Sequence, residues 1–316
     1  MNIFKFYSII TVVFAMVVLS LTSCKEKTVD KINKLDMGAI EQKPEAPKKQ
    51  LSQEFKDFWY AGNAEVTSYK LQQARYGEIR KGKAVLIYVT EPFLSGLQVK
   101  ADTNDSSNIP VLKLNSTKNY LTGIYPYSIM TSSFYPVYDN QHALKVTFSS
   151  QEWCGHVYAQ LNNRADYEIM SHSYFGSEAD QNFLLDKSDL ENEIWNKIRI
   201  NPGGLPTGNI EIIPSLEYIR LNHKELKVYS AIATITKSGA NTIYQITYPE
   251  LERTLKINFL SEFPYTIEGW TDTYKDGFGQ KAIVLTSTAT IINRITTPYW
   301  QQNSNKDLSL RDSLGL

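Results

Sequence analysis

The segment Glu152-Trp153-Cys154-Gly155-His156 brings a carboxylate, a thiol and an imidazole close together in the chain. A cysteine nucleophile needs those three types: the imidazole lowers the thiol pKa and the acid orients the ring. If the alternation of Leu144, Val146 and Phe148 runs on without a bulge, Ser150, Glu152, Cys154, His156 and Tyr158 share one face of a strand. Neighbours at i and i+2 on a strand usually stand side by side, however, and hydrolases more often join Cys and His from distant segments. The favoured expectation is therefore a buried Cys154 that packs as a small hydrophobe, with His156 satisfied by a carbonyl. Gly155 marks a bulge that would rotate the two side chains apart. No catalytic residue is assigned and a non-enzymatic binding or scaffolding role is expected; the alternatives are a hydrolase or redox enzyme using Cys154, His156 and Glu152, and a structural partner in a protein complex.

Other chemistry is thinner. His142, His156 and His172 lie in one region, followed by Glu178 and Asp180, but their spacings match no compact ligand motif. No metal site and no cofactor is expected. Walker A, Rossmann, Cys-x-x-Cys, His-Glu-x-x-His and Gly-x-Ser-x-Gly signatures are absent. Among the 20 tyrosines, Tyr120, Tyr125, Tyr127, Tyr135 and Tyr138 crowd together with Phe134. Tyrosine suits a half-buried strand and needs no ligand to explain it. The functional alternative is a concave apolar surface for a hydrophobic, peptide or glycan ligand, with Tyr125, Tyr127, Phe134 and Tyr135 as candidates.

Strands would have to position these groups. Val85 to Val89 is β-rich, and Leu255, Ile257 and Phe259 alternate with polar neighbours in the manner of a sheet with one wet face. Runs at 227–236, 242–248, 265–273 and 281–292 are separated by turn material such as Ser238-Gly239. Helices are few. Ser52 is an N-cap for a helix carrying Phe55, Phe58 and Trp59. Ser188-Asp189-Leu190-Glu191 fits a capping box, and Leu190, Ile194, Trp195 and Ile198 then share a side until Pro202-Gly203-Gly204. That helix, near 188–200, is expected to divide a β-rich domain over 51–300 into two halves, followed by a polar tail over 301–316 too hydrophilic to pack. The predicted class is mainly β with few helices (α+β), antiparallel, in curved or half-open barrel-like sheets. By element order it resembles the lipoprotein carriers of the bacterial envelope.

The N-terminal segment gives the address. Lys5 precedes an apolar run from Ile9 to Leu19, which ends in Leu21-Thr22-Ser23-Cys24. That order is an n-region, an h-region and a cleavage site, too short to span a bilayer before the charges at Lys25 to Lys27. The quartet resembles the lipobox of bacterial lipoproteins, which implies removal of 1–23 and lipidation of Cys24. The expected location is then the cell envelope, anchored to a membrane, the outer one being preferred. Residues 24–50 contain no aromatic, carry Pro44 and Pro47, and read as a solvated tether reaching about 85 Å if extended. With Cys24 spent on lipid, Cys154 is the only other cysteine, so no intrachain disulfide forms. Thirty-three basic against 33 acidic side chains give no electrostatic case for nucleic acid.

Four stretches are distinctive together: Phe58-Trp59-Tyr60-Ala61-Gly62, Gln72-Gln73-Ala74-Arg75-Tyr76-Gly77, Thr122-Gly123-Ile124-Tyr125-Pro126-Tyr127-Ser128 and Ser150 to His156. They resemble an uncharacterised group of lipoproteins from Bacteroidetes-type bacteria, over most of the chain after the tether. Members of that group often carry the label septum formation inhibitor Maf. Genuine Maf proteins are cytoplasmic nucleotide pyrophosphatases that open on a Ser-rich segment ending in Pro-Arg-Arg. No such motif follows the leader here, so the label brings no activity with it, and the lipoprotein group has no established catalytic residues to transfer.

Overall fold

Alternating apolar and polar residues generate most of the structure, a computed structural model that describes residues 50–138 and 142–316. The expected leader, the expected lipid acceptor Cys24 and the expected tether up to residue 49 lie outside the described residues. The first half of the chain gives β1 (Ala64–Arg75), β2 (Glu78–Leu94), β3 (Val99–Lys100), β4 (Ile109–Thr122), β5 (Tyr125–Pro136), β6 (Lys145–Glu152), β7 (Gly155–Asn163), β8 (Tyr167–His172) and β9 (Gln181–Leu185). The second gives β10 (Asp189–Leu190), β11 (Gly208–Ile213), β12 (Tyr229–Ser238), β13 (Asn241–Tyr248), β14 (Arg253–Leu260), β15 (Ile267–Asp276) and β16 (Ile283–Thr297). In β14, Leu255, Ile257 and Phe259 are buried and Lys256 is exposed, as the period-two pattern predicts.

All of these strands belong to one sheet, ordered β10-β11-β12-β13-β14-β15-β16-β1-β2-β4-β5-β6-β7-β8-β9, with β3 attached to β2. Neighbours are antiparallel except β10 and β11. The sheet is left open between β9 and β10. The two halves are therefore not separate: β16 pairs with β1 from Ala64↔Thr297 to Gln72↔Thr288 and joins them through the middle of the sheet.

The helix at 188–200 was expected as a divider; it is instead the filling of the curve. α1 (Gln53–Trp59) comes first, with Ser52 Oγ accepting from the Phe55 N–H at 3.1 Å as the N-cap predicts. α2 (Glu191–Ile200) is buried on nearly every side. A helix with Glu191, Glu193, Asn196, Lys197 and Arg199 all buried needs polar partners around it. The sheet supplies them. Tyr88 on β2 donates to the Trp195 carbonyl at 3.1 Å, and Asn196 Nδ2 donates to the Leu112 carbonyl of β4 at 2.7 Å. Arg199 grips Glu65 of β1 with two nitrogens, at 2.6 and 2.8 Å, and donates to the Pro264 carbonyl. Ion pairs of this kind fix which strand faces which side of the helix more than they stabilise it.

Two further expectations need correction. The capping box does not form: Leu190 occupies the N-cap position without a side-chain bond, because Asp189 and Leu190 are used in the parallel pairing with β11. The C-terminal segment does pack. After β16 the chain folds into α4 (Ser309–Ser313), Leu314 is buried, and Ser68 of β1 donates to the Leu314 carbonyl. One leucine and two backbone bonds are enough to hold a tail whose average polarity suggested otherwise, the second being Asn293 Nδ2 to the Ser313 carbonyl at 2.7 Å. Among the described residues no helix is long and apolar enough to cross a membrane.

Strand alternation sends seven connections to one end of the curve: 76–77, 123–124, 153–154, 173–180, 214–228, 249–252 and 277–282. We call this the tip end. α1 lies at the other end, where Phe58 meets Phe263 of the β14–β15 connection at 5.7 Å.

Candidate functional site

Inside the curve near the tip end, α2, a short helix α3 (Leu216–Leu221) and strands β1, β4, β5, β14, β15 and β16 leave a cavity of about 70 Å³. That is room for a few waters or a small group. Its walls mix both characters. Trp195 and Trp270 meet edge to face at 5.3 Å, beside Leu114 and Leu255. Opposite them, β5 turns Thr131 and Ser133 inward, on the face it shares with Tyr127, Ile129 and Tyr135. Both hydroxyls are buried, line the cavity and have no hydrogen-bond partner among the described residues. Buried hydroxyls are usually satisfied, so these two can bond a water or another small group inside the cavity.

Charge in the wall is organised by Arg253. Its guanidinium bonds Glu191 at 2.6 and 2.8 Å and Asp272 at 2.8 and 2.9 Å, and lies over the Tyr218 ring at 4.0 Å. Tyr248 donates to Glu191 as well, at 2.8 Å. One cation thus serves two acids. Burial raises the Asp272 carboxyl above its ordinary range, and Arg253 only partly offsets it. For Glu191 burial acts in the same direction, but Arg253 and the Tyr248 hydroxyl outweigh it and hold the group low. With Glu217 and Lys118 paired at 2.7 Å, the wall carries three acids and two bases.

α3 closes the cavity. Ser215 Oγ caps it by accepting from Tyr218 N–H at 3.2 Å, and the Lys118–Glu217 pair ties its first turn to β4. At its other end Arg75 donates to the Leu221 carbonyl at 2.7 Å, a favourable cation at a helix C-terminus. Arg75 is itself held by the Tyr127 hydroxyl at 3.1 Å and lies against the Tyr76 ring at 4.3 Å. On the outer side of α3 a second hollow of about 300 Å³ opens between Tyr76, Lys224, Glu250 and Phe278. Tyr218, Leu221 and Asn222 line both spaces, so α3 is the partition between them.

The residues singled out in the sequence are distributed differently. Cys154 is not buried: the strand ends at Glu152, Trp153 and Cys154 form the turn, and the thiol is exposed. The alternation that buries Val146, Phe148 and Ser150 stops there because Glu152 pairs with Gly155 across the turn. Glu152 accepts from the Cys154 N–H at 2.7 Å and raises the thiol pKa by its hydrogen bond and charge. No hydrogen bond joins Cys154 to the exposed His156, so the turn lacks the activated thiol that nucleophilic catalysis needs. The tyrosine group is split as well. Tyr127 and Tyr135 face inward, Phe134 packs outside against Phe93 at 5.3 Å, and Tyr125 sits at the rim.

The histidines do not converge. His172 pairs with Asp180 at 3.1 Å, and Glu178 takes Arg220 and His223. His142, Asp189 and Glu193 do come close enough to hold a cation, a grouping that spacing did not suggest. The Lys197 ammonium already occupies that position, at 2.8 Å from both acids. What sequence reasoning missed is the cavity wall itself. The available signal was the pair of hydroxyl residues, Thr131 and Ser133, at inward positions of an otherwise apolar face.

No family model matches the chain, and no curated protein matches it. Among solved structures it is similar to a β-barrel-like protein of a domain of unknown function, DUF1849, from Brucella abortus: 8% identity, 74% of this chain and 98% of that one, TM-score 0.38. It is also similar to a porin-like protein from Bacteroides uniformis at 11% identity, over 72% of this chain and 96% of that one, TM-score 0.20. Likenesses of this size carry no functional inference.

Proposed function

We propose that the chain is a membrane-anchored envelope lipoprotein whose half-open barrel binds a small guest without transforming it. The observation that supports this most is the pair of partnerless hydroxyls, Thr131 and Ser133, facing a cavity walled by Trp195 and Trp270. A guest suited to it offers hydroxyl or amide groups to those oxygens and a flat apolar face to the indoles. The excess of one acid in the wall favours neutral or cationic guests over anions. A single hydroxyl- or amide-bearing group of a glycan or peptide fits the cavity as it stands, and movement of α3 would join it to the outer hollow for the rest of the guest. The anchor rests on the Leu21 to Cys24 quartet.

Titrating the protein with neutral oligosaccharides and short peptides, read by the emission of the facing tryptophans, tests the binding. Saturable quenching that disappears in Thr131→Val/Ser133→Ala supports it; equal response of that variant and the parent refutes it. For the anchor, Cys24→Ser must accumulate as precursor and lose acyl label. Equal labelling of the two would remove the lipoprotein assignment.

A further inference from the structure

Four of the seven connections at the tip end carry large apolar side chains into solvent. Ile124 is 83% exposed, Trp153 69% and Phe278 65%, each on a different hairpin. Leu121 joins the Ile124 tip, Ile283 and Val284 the Phe278 tip, and Tyr174 and Phe175 extend from the β8–β9 connection. The 249–252 connection exposes Glu250 and Glu252, the 214–228 connection exposes His223, Lys224 and Glu225, and Tyr76 of the 76–77 turn is half-buried.

These tips form a rim, linked by aromatic contacts that run partly through the buried, inward-facing Tyr127. Phe278 meets Tyr76 at 6.0 Å, and Tyr76 meets Tyr127 at 6.4 Å. Tyr127 contacts Tyr125 at 6.1 Å, and Tyr125 contacts Trp153 at 6.4 Å. Tyr174 then lies so close over Gly155 that an added Cβ would stand 2.8 Å from its ring. Phe175 completes the arc by reaching His223, beyond the end of α3, at 6.3 Å. The backbone keeps the tips rigid: the β1–β2 turn places Tyr76 and Gly77 both at positive φ, the conformation of a two-residue I′ hairpin, and Gly77 N–H donates to Asp276 of the neighbouring tip.

We infer that this rim is a docking surface for the interface of a phospholipid bilayer. The apolar groups stand on separate hairpins with gaps between them. They form no groove for a helix or strand, and a fluid partner can fill the gaps where a fixed protein surface cannot. Tyrosine and tryptophan together with Ile, Leu and Phe are the composition that settles at the boundary between headgroups and hydrocarbon. Charge complements it: Lys81, Lys275, Lys281 and Lys224 are exposed around the Phe278 side and make no ion pair among the described residues. Of the nearby acids, Glu178, Glu78, Asp276 and Glu250 are taken by Arg220, Arg80, Gly77 and Lys227, which leaves Glu252 against the four lysines. Gln50 leaves the domain near α1, at the end away from the rim. The sequence before it is long enough to let the rim turn to a lipid surface. Docking stands independently of the cavity's guest.

The native Cys154 is the reporter, since it lies exposed in the Trp153 tip. In the full chain carrying Cys24→Ser, a polarity-sensitive dye on Cys154 is monitored with vesicles of phosphatidylethanolamine and phosphatidylglycerol, some bearing brominated chains. The expected result is a blue shift and quenching by bromine, with Ile124→Ser/Phe278→Ser reducing the inserted-to-free ratio roughly tenfold or more. A dye at Leu97→Cys in a Cys154→Ser background, at the opposite end, should remain in water. A Cys154 dye that stays in water on vesicles carrying the bound chain overturns the inference. So does insertion unaffected by the double substitution, or burial of the rim against a second protein instead of lipid. Both rim residues are exposed, so an unchanged melting temperature confirms that the variant is folded. None of these readouts depends on oligosaccharide or peptide binding.

Discussion

Arg253→Met tests how the cavity wall is held. The substitution keeps an unbranched chain against Tyr218 but removes the cation that serves Glu191 and Asp272. Arg253 and Glu191 are 2% and 3% exposed in their side chains, while Asp272 keeps 19%. Glu191 is therefore stranded more completely than Asp272. Removing one partner of a buried pair typically costs about 3–5 kcal/mol, and a domain of this size loses about 2–4 °C per kcal/mol. A fall in Tm on the order of 10 °C at pH 7.5 is expected. The pH dependence is the sharper test. In the parent, Glu191 is held low, so its contribution is present above its unfolded pKa and lost as pH falls through its folded one. Asp272 is raised and acts oppositely, favouring the fold at low pH and opposing it as pH rises through its folded pKa. Without Arg253 both carboxyls rise. Both then bind protons more readily in the folded state, and acid stabilises the variant relative to the parent, by up to about 1.4 kcal/mol per pH unit for each carboxyl. Differential scanning fluorimetry from pH 4.5 to 8 should show the deficit shrinking steadily toward acid. A deficit independent of pH would mean that Arg253 acts through packing alone, and the electrostatic account of the wall would be wrong.

Arg75→Ala should free the C-terminal end of α3, so amides around Leu221 and Asn222 should exchange faster while those of α2 keep their protection. Uniform protection would show that Arg75 is not the fastening. The folded protein should react with a thiol reagent at Cys154 without denaturant, slowly at neutral pH, and Glu152→Gln should speed the reaction by lowering the thiol pKa. A buried or hyper-reactive thiol would contradict this, as would a rate that falls in His156→Ala. Leu314→Ser should lower stability by about 1.5–3 kcal/mol through loss of one buried leucine, measured by urea denaturation. No change would mean that the tail only rests on the sheet.

Much of the fold was legible because period-two patterning is local. The strands containing Val85, Val146 and Leu255, and the Ser52 cap, follow from neighbours a few residues apart. What failed was non-local. Whether the 188–200 helix divides two domains or fills one depends on β16 meeting β1, a pairing with no local sign. The helix looked amphipathic through Leu190, Ile194, Trp195 and Ile198. Its opposite side is buried by Arg253, Tyr88 and Leu112, which come from three distant strands. Cys154 was misplaced by a single local error: extending an alternation past Glu152, where Trp153 and Cys154 turn the chain. The cavity was illegible because Thr131 and Ser133 read as ordinary strand residues until Trp195, Trp270 and α3 enclose them.

The pairing of β16 with β1 also constrains how the protein is made. All the other long neighbours in the sheet are close in sequence and can zip as they emerge, whereas this contact links the first strand synthesised to the last. Until the chain is finished, β1 presents an unpaired edge along its full length, with Val66, Ser68 and Leu71 uncovered. Such an edge invites pairing with other chains. Closing so large a loop is entropically slow, and the sheet must wait for it. A chain stopped before Ile283 would still hold an eight-strand meander with β3 at its side and the five-strand meander β11–β15 with β10 at its edge, connected near residues 186–188 but not zipped together. Premature termination should therefore yield aggregation rather than a smaller stable domain, and a holding partner during synthesis would have its greatest effect on the interval between completion of β15 and arrival of β16.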